Sequence, residues 1–86
     1  MPTISEFYGI VIRMYWDDHG VAHFHATYAE YEASFSIQPI SLLEGSLPRR
    51  AQRLVEEWGQ LHASELNEDW RLARAGQPLL PIDPLD

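Results

Sequence analysis

Apolar residues recur at every second position through most of the stretch from Tyr8 to Leu43, then change spacing after Glu44-Gly45-Ser46-Leu47-Pro48. A repeat of two belongs to strands that bury one face. A repeat near 3.6 belongs to amphipathic helices. The chain is therefore expected to be α+β: an antiparallel sheet of three to four strands, with two C-terminal helices packed on one face.

Tyr8 to Trp16 sets Ile10, Ile12 and Met14 against Val11, Arg13 and Tyr15, and reads as the first strand. Asp17-Asp18-His19-Gly20 reads as a turn and Val21 to Tyr28 as the second strand. Ala29-Glu30 makes a short turn before a third strand, Tyr31 to Ile37. Ile40 to Leu43 is a short fourth strand, and Pro39 at its start marks it as an edge. Ser46 is placed to cap a first helix, with Pro48 in its first turn. Ala51, Leu54, Val55, Trp58, Leu61 and His62 form its stripe, which Gly59 weakens by about 1 kcal/mol relative to Ala. Ser64, with Glu65 and Asn67, is placed to cap a second helix carrying Leu66, Trp70 and Ala73 and ending at Gly76. One unbroken helix to Ala75 would span about 42 Å, too long for so small a domain. Residues 1–76 are expected to form a single domain and 77–86 an extended Pro-rich tail.

A chain of 86 residues buries only about 60–65% of its unfolded surface, so large side chains must supply much of the core. Three Trp, four Tyr and three Phe meet that need. The absence of cysteine excludes disulfides, zinc–thiolate sites and thiol catalysis. The start carries no basic and apolar leader pattern, and no apolar run approaches the ~20 residues of a membrane span. A cytoplasmic protein without membrane partners is expected. The net charge of −7 opposes nucleic-acid binding and favours a basic partner or simple solubility.

Ala22-His23-Phe24-His25-Ala26 carries the chemistry. Alternation along a strand puts both imidazoles on the face opposite Phe24. For Ile10, Ile12 and Met14 to share a face with Phe24, Ala26 and Tyr28, the first loop must hold an odd number of residues. A three-residue loop, Asp18-His19-Gly20, satisfies this and pairs Arg13 with His25 and Tyr15 with His23. A two-residue Ala29-Glu30 loop pairs His25 with Ser34, His23 with Ser36 and Thr27 with Glu32. Asp17 then lies diagonal to His23, and Glu32 diagonal to His25.

Four readings of this face follow. It is a solvated sheet surface, on which His, Arg, Ser and Thr are ordinary. It is the seam of a homodimer. It holds a divalent metal through His23, His25 and Asp17 or Glu32. Or it is a metal-free acid–base site for a phosphodiester, with His23 and His25 moving protons and Arg13 and Tyr15 stabilising the anion. Arg13 opposite His25 opposes the metal, so no metal and no cofactor is expected. A second, weaker candidate is an anion site at Arg49, Arg50 and Arg53, where a helix N-terminus adds its dipole. His19 is expected to be exposed in its turn, and His62 to be a satisfied boundary histidine beside Trp58.

The stretch from Met1 to Tyr15, with Asp17-Asp18-His19, His23-Phe24-His25-Ala26, Glu30-Tyr31-Glu32-Ala33, Leu43 to Arg50, Trp58, Leu61-His62 and Trp70, resembles a bacterial family of small proteins, domain of unknown function 4160. The resemblance runs from Met1 to about Leu79 and implies a small cytoplasmic bacterial protein, often encoded beside another small domain. It supplies no catalytic residues. The expected role is a protein-interaction component of a two-gene, toxin–antitoxin-like module. The alternative is the metal-free phosphodiester-acting enzyme. Relatives often have Gly where Ala29 stands, a position whose turn chemistry Ala does not favour.

Overall fold

The computed structural model describes residues 2–86. Five strands form one antiparallel sheet in chain order: β1 (Thr3–Phe7), β2 (Ile10–Arg13), β3 (His23–Tyr28), β4 (Tyr31–Ile37) and β5 (Ile40–Ser46). Two helices follow, α1 (Arg49–Leu61) and α2 (Ala63–Arg74). The order of strands then helices is the one the change of spacing demands. Among the described residues no helix is long and apolar enough to cross a membrane.

The additional strand is β1. Its turn, Tyr8-Gly9, has positive φ at both residues, the geometry of a tight hairpin that matches sheet twist. The first strand read from sequence therefore splits at its start, and Ile4 and Phe7 join the core. Pairing between β2 and β3 has the expected register, Arg13↔His25 and Ile12↔Ala26. The ladder ends sooner, because the next amide on the β3 side, that of Tyr15, is taken elsewhere. Met14 N–H donates to Pro2 O at 3.2 Å, and Tyr15 N–H to Asp18 Oδ2 at 3.2 Å. The connection therefore runs over residues 14–22 in place of the expected three-residue loop. Its residue count is still odd, so parity and facing are preserved. Between β3 and β4 every expected pair is present, from His23↔Ser36 to Tyr28↔Tyr31.

One sheet face is apolar. Ile10, Ile12, Met14, Phe24, Ala26, Ala33, Phe35 and Ile37 are buried there. Trp58 from α1 is its keystone, fully buried against Phe7 (ring centroids 5.3 Å) and Phe24 (5.8 Å, edge-on). Gly59 has a packing reason: a Cβ there would sit 3.0 Å from Ile40 Cδ1. The expected caps are placed otherwise. Ser46 belongs to β5, Pro48 precedes α1, and Ser64 lies inside α2 behind His62. Gly76, with φ +71, follows α2 as a stop.

Residues 77–86 are extended and tied to the domain. Ile82 is buried, and its N–H donates to Ile4 O on β1 at 2.8 Å. The Trp58 indole donates to Asp83 O (2.8 Å) and the Trp16 indole to Gln77 O (2.9 Å). At the opposite side of the sheet β5 pairs with β4 alone among the described residues.

Candidate functional site: an Asp18–His23–His25 cluster

The early end of the β2–β3 ladder builds the site. Freed from pairing, the chain turns at Tyr15–Asp18, with Asp18 N–H donating to Tyr15 O at 3.2 Å. The turn carries the Asp18 carboxylate over the two imidazoles of β3. Asp18 Oδ2 accepts from His25 Nε2 at 3.1 Å and from the Tyr15 amide. Asp18 Oδ1 faces His23 Nε2 at 3.6 Å, beyond ordinary hydrogen-bond reach.

The His23 tautomer follows from its other nitrogen. Nδ1 lies 2.8 Å from Val21 O, which can only accept, so Nδ1 carries the proton. In the neutral ring Nε2 then presents a lone pair toward a carboxylate oxygen. The two rings stand edge to face at 5.1 Å. Tyr15 packs against His25 at 4.9 Å, and Trp70 of α2 against His23 at 5.2 Å. Arg74 donates weakly to Asp18 O at 3.4 Å and lies over the Trp70 ring at 6.0 Å. The His23, His25 and Asp18 side chains keep 15%, 21% and 15% of their surface in contact with solvent.

His23 and His25 thus emerge on the face opposite the Trp58 core, as alternation requires. Tyr15 is beside them, although outside the paired ladder. Asp17 is exposed, and the carboxylate at the cluster is Asp18. Arg13 does pair with His25, yet its Nη1 donates to Thr27 Oγ1 at 3.3 Å, and its buried Nε has no partner among the described residues. The guanidinium is bonded to a neutral hydroxyl along its own side of the β2–β3 pair and keeps its positive charge next to His25. Glu32 lines an open concavity of about 240 Å³ with His25, Ser34 and Glu44. Sequence reasoning missed Asp18, Trp70 and Glu44. Asp18 required knowing where the ladder ends, and Trp70 comes from a helix some 50 residues away. Spacing within one strand carries neither signal.

The arginine cluster divides. Arg49 and Arg53 line a shallow concavity with Gln52 and Glu56, whereas Arg50 lies over the Tyr8 ring at 6.0 Å. His19 is exposed, and His62 is satisfied by Glu65 through Nδ1 at 2.5 Å.

Fold and site together define a small α+β protein with a histidine–carboxylate cluster at one end of its sheet. The chain belongs to the family described as Domain of unknown function (DUF4160), whose model matches residues 9–71. That span holds β2 to β5, α1, most of α2 and all of Asp18, His23, His25 and Trp70. Among curated proteins and solved structures, none matches.

Proposed function

We propose that this chain is the interaction component of a bacterial, cytoplasmic two-protein module, and that its partner adds an extended basic segment along β5. The observation that carries this reading is the state of β5. It is seven residues long, pairs on one side only among the described residues, and leaves Leu42 and Leu43 36% and 44% exposed. An edge strand presents unpaired N–H and C=O groups that a further strand satisfies. The register shift between Ser34 and Phe35 leaves Leu43 as the extra, bulged residue of β5, and no Lys or Arg guards the strand. Glu44 on β5 and neighbouring Glu32, in a chain of net charge −7, favour a basic occupant. The same charge opposes pairing with a second copy.

The test is co-expression with the protein encoded beside this one, with mass measured in solution. A complex should form, and Leu43→Lys should weaken it about tenfold while leaving the thermal midpoint within a few degrees. A complex indifferent to Leu43→Lys, or a homodimer through β5, contradicts the reading.

One observation favours the enzyme alternative: Asp18 orients His25, as a carboxylate orients a general base. Glu32 and Glu44 beside His25, and Arg13 engaged with Thr27, count against a phosphodiester there. If the chain is that enzyme, His25→Ala abolishes activity or toxicity without lowering the thermal midpoint.

A further inference from the structure

We propose that Asp18, His23 and His25 form a site for a divalent first-row transition metal. Two imidazoles and one carboxylate are a ligand set that such ions take, with the remaining positions left to water or a ligand. The three side chains offer ligand atoms that all lie within 4.8 Å of one another. Metal–ligand bonds of about 2.0–2.2 Å need ligand atoms about 3.0–3.5 Å apart. Of the two separations from Asp18, 3.1 Å lies inside that range and 3.6 Å just above it.

Three further observations point to a cation rather than to a hydrogen-bonded cluster complete in itself. His23 donates Nδ1–H to the Val21 carbonyl, which leaves the Nε2 lone pair directed at Asp18 Oδ1 at 3.6 Å. A lone pair facing an anion is repulsive unless a proton or a metal lies between them. Fixing one imidazole nitrogen on a backbone carbonyl is also how metal-binding histidines are oriented. Asp18 is preset by its bond from the Tyr15 amide, so the site forms without rearranging the loop. The surroundings add carboxylates: Glu32 and Glu44 share a concavity with His25, set against the two cations nearby, Arg13 across from His25 and Arg74 at Asp18 O.

Binding requires the neutral His25 ring to change tautomer: its single proton leaves Nε2 and a solvent proton is taken up at Nδ1, so that the Nε2 lone pair meets the metal with no net proton released. Asp18 Oδ2 then exchanges the imidazole N–H for a share in the ion. Water fills the open positions. The two claims are tested independently: a chain that binds metal without a partner, or a partner without metal, satisfies one and not the other.

Cobalt(II) is the probe, because its visible absorption reports nitrogen and oxygen ligation. Titration of the intact 86-residue protein should saturate at one equivalent and raise the thermal midpoint. His23→Ala and His25→Ala should each weaken binding tenfold or more, whereas His62→Gln should leave it unchanged. In wild-type protein, cobalt should broaden or shift the ring resonances of His23 and His25 and leave those of His62 sharp, which tests the site even if the alanine variants do not fold. Absence of stoichiometric binding overturns the proposal. So does binding that survives the double His23→Ala, His25→Ala variant, and so does a paramagnetic effect centred on His19 or His62.

Discussion

Asp69 is a carboxylate only 1% exposed. Oδ1 accepts from Leu80 N–H at 2.9 Å, and Oδ2 is buried with no partner among the described residues. Burial pushes its carboxyl above the ordinary value, the Leu80 amide partly offsets this, and the nearby Glu68 and Glu65 add to it. The fold therefore holds this proton more tightly than the unfolded chain does. Stability from this residue is present below the unfolded value of about 3.9 and is lost as pH rises through the raised folded value. Asp69→Asn keeps an acceptor for Leu80 and removes the charge. Its thermal midpoint at pH 7 should exceed wild type by a few degrees (about 4–8 °C accompanies each kcal/mol in so small a domain), and the gap should close toward pH 3. Calorimetry across that range checks it. Gly45 is constrained in the opposite sense. Its φ is +78, and a Cβ there would come within 2.2 Å of Glu32 O. Gly45→Ala should cost about 3 kcal/mol or detach this end of β5, read by chemical denaturation.

Legibility in the sequence differed from element to element, for physical reasons. β4 and the whole β3–β4 register could be read because one face is continuously buried, and a slip of one residue would turn Phe24, Ala33 and Phe35 outward. β1 was missed because its turn uses Tyr8 at φ +52, a residue that gives no turn signal. Ala29, also at φ +52, makes the β3–β4 turn against local preference, held by the long ladder on either side. The two histidines of the site could be read from alternation. Their carboxylate could not, because a hydrogen bond from the Tyr15 amide to Asp18 decides where the β2–β3 ladder ends. The tail read as extended, but its anchoring did not show, since proline-rich sequence does not reveal that Asp83 O meets the Trp58 indole. Removing residues 78–86 takes away buried Ile82 and leaves the Trp58 donor and Asp69 without their partners. Truncation after Gln77 should lower stability by about 3 kcal/mol or more, and thermal unfolding followed by circular dichroism checks this.

At the scale of the whole molecule, the two edges of the sheet are treated differently. The β1 edge is met by the tail through Ile82 N–H and Ile4 O. The β5 edge is left open, with two leucines exposed and a carboxylate beside them. On the proposed reading, the open edge of this acidic chain is completed by a strand of opposite charge. Hydrogen exchange of the β5 backbone amides, compared between the free chain and its complex with the neighbouring-gene protein, tests this most directly. The account predicts that outward-facing amides between Ile40 and Ser46 exchange quickly in the free chain and become protected by about tenfold or more in the complex. Complex formation with unchanged β5 exchange, and protection confined to the Asp18–His23–His25 end of the sheet, would contradict it.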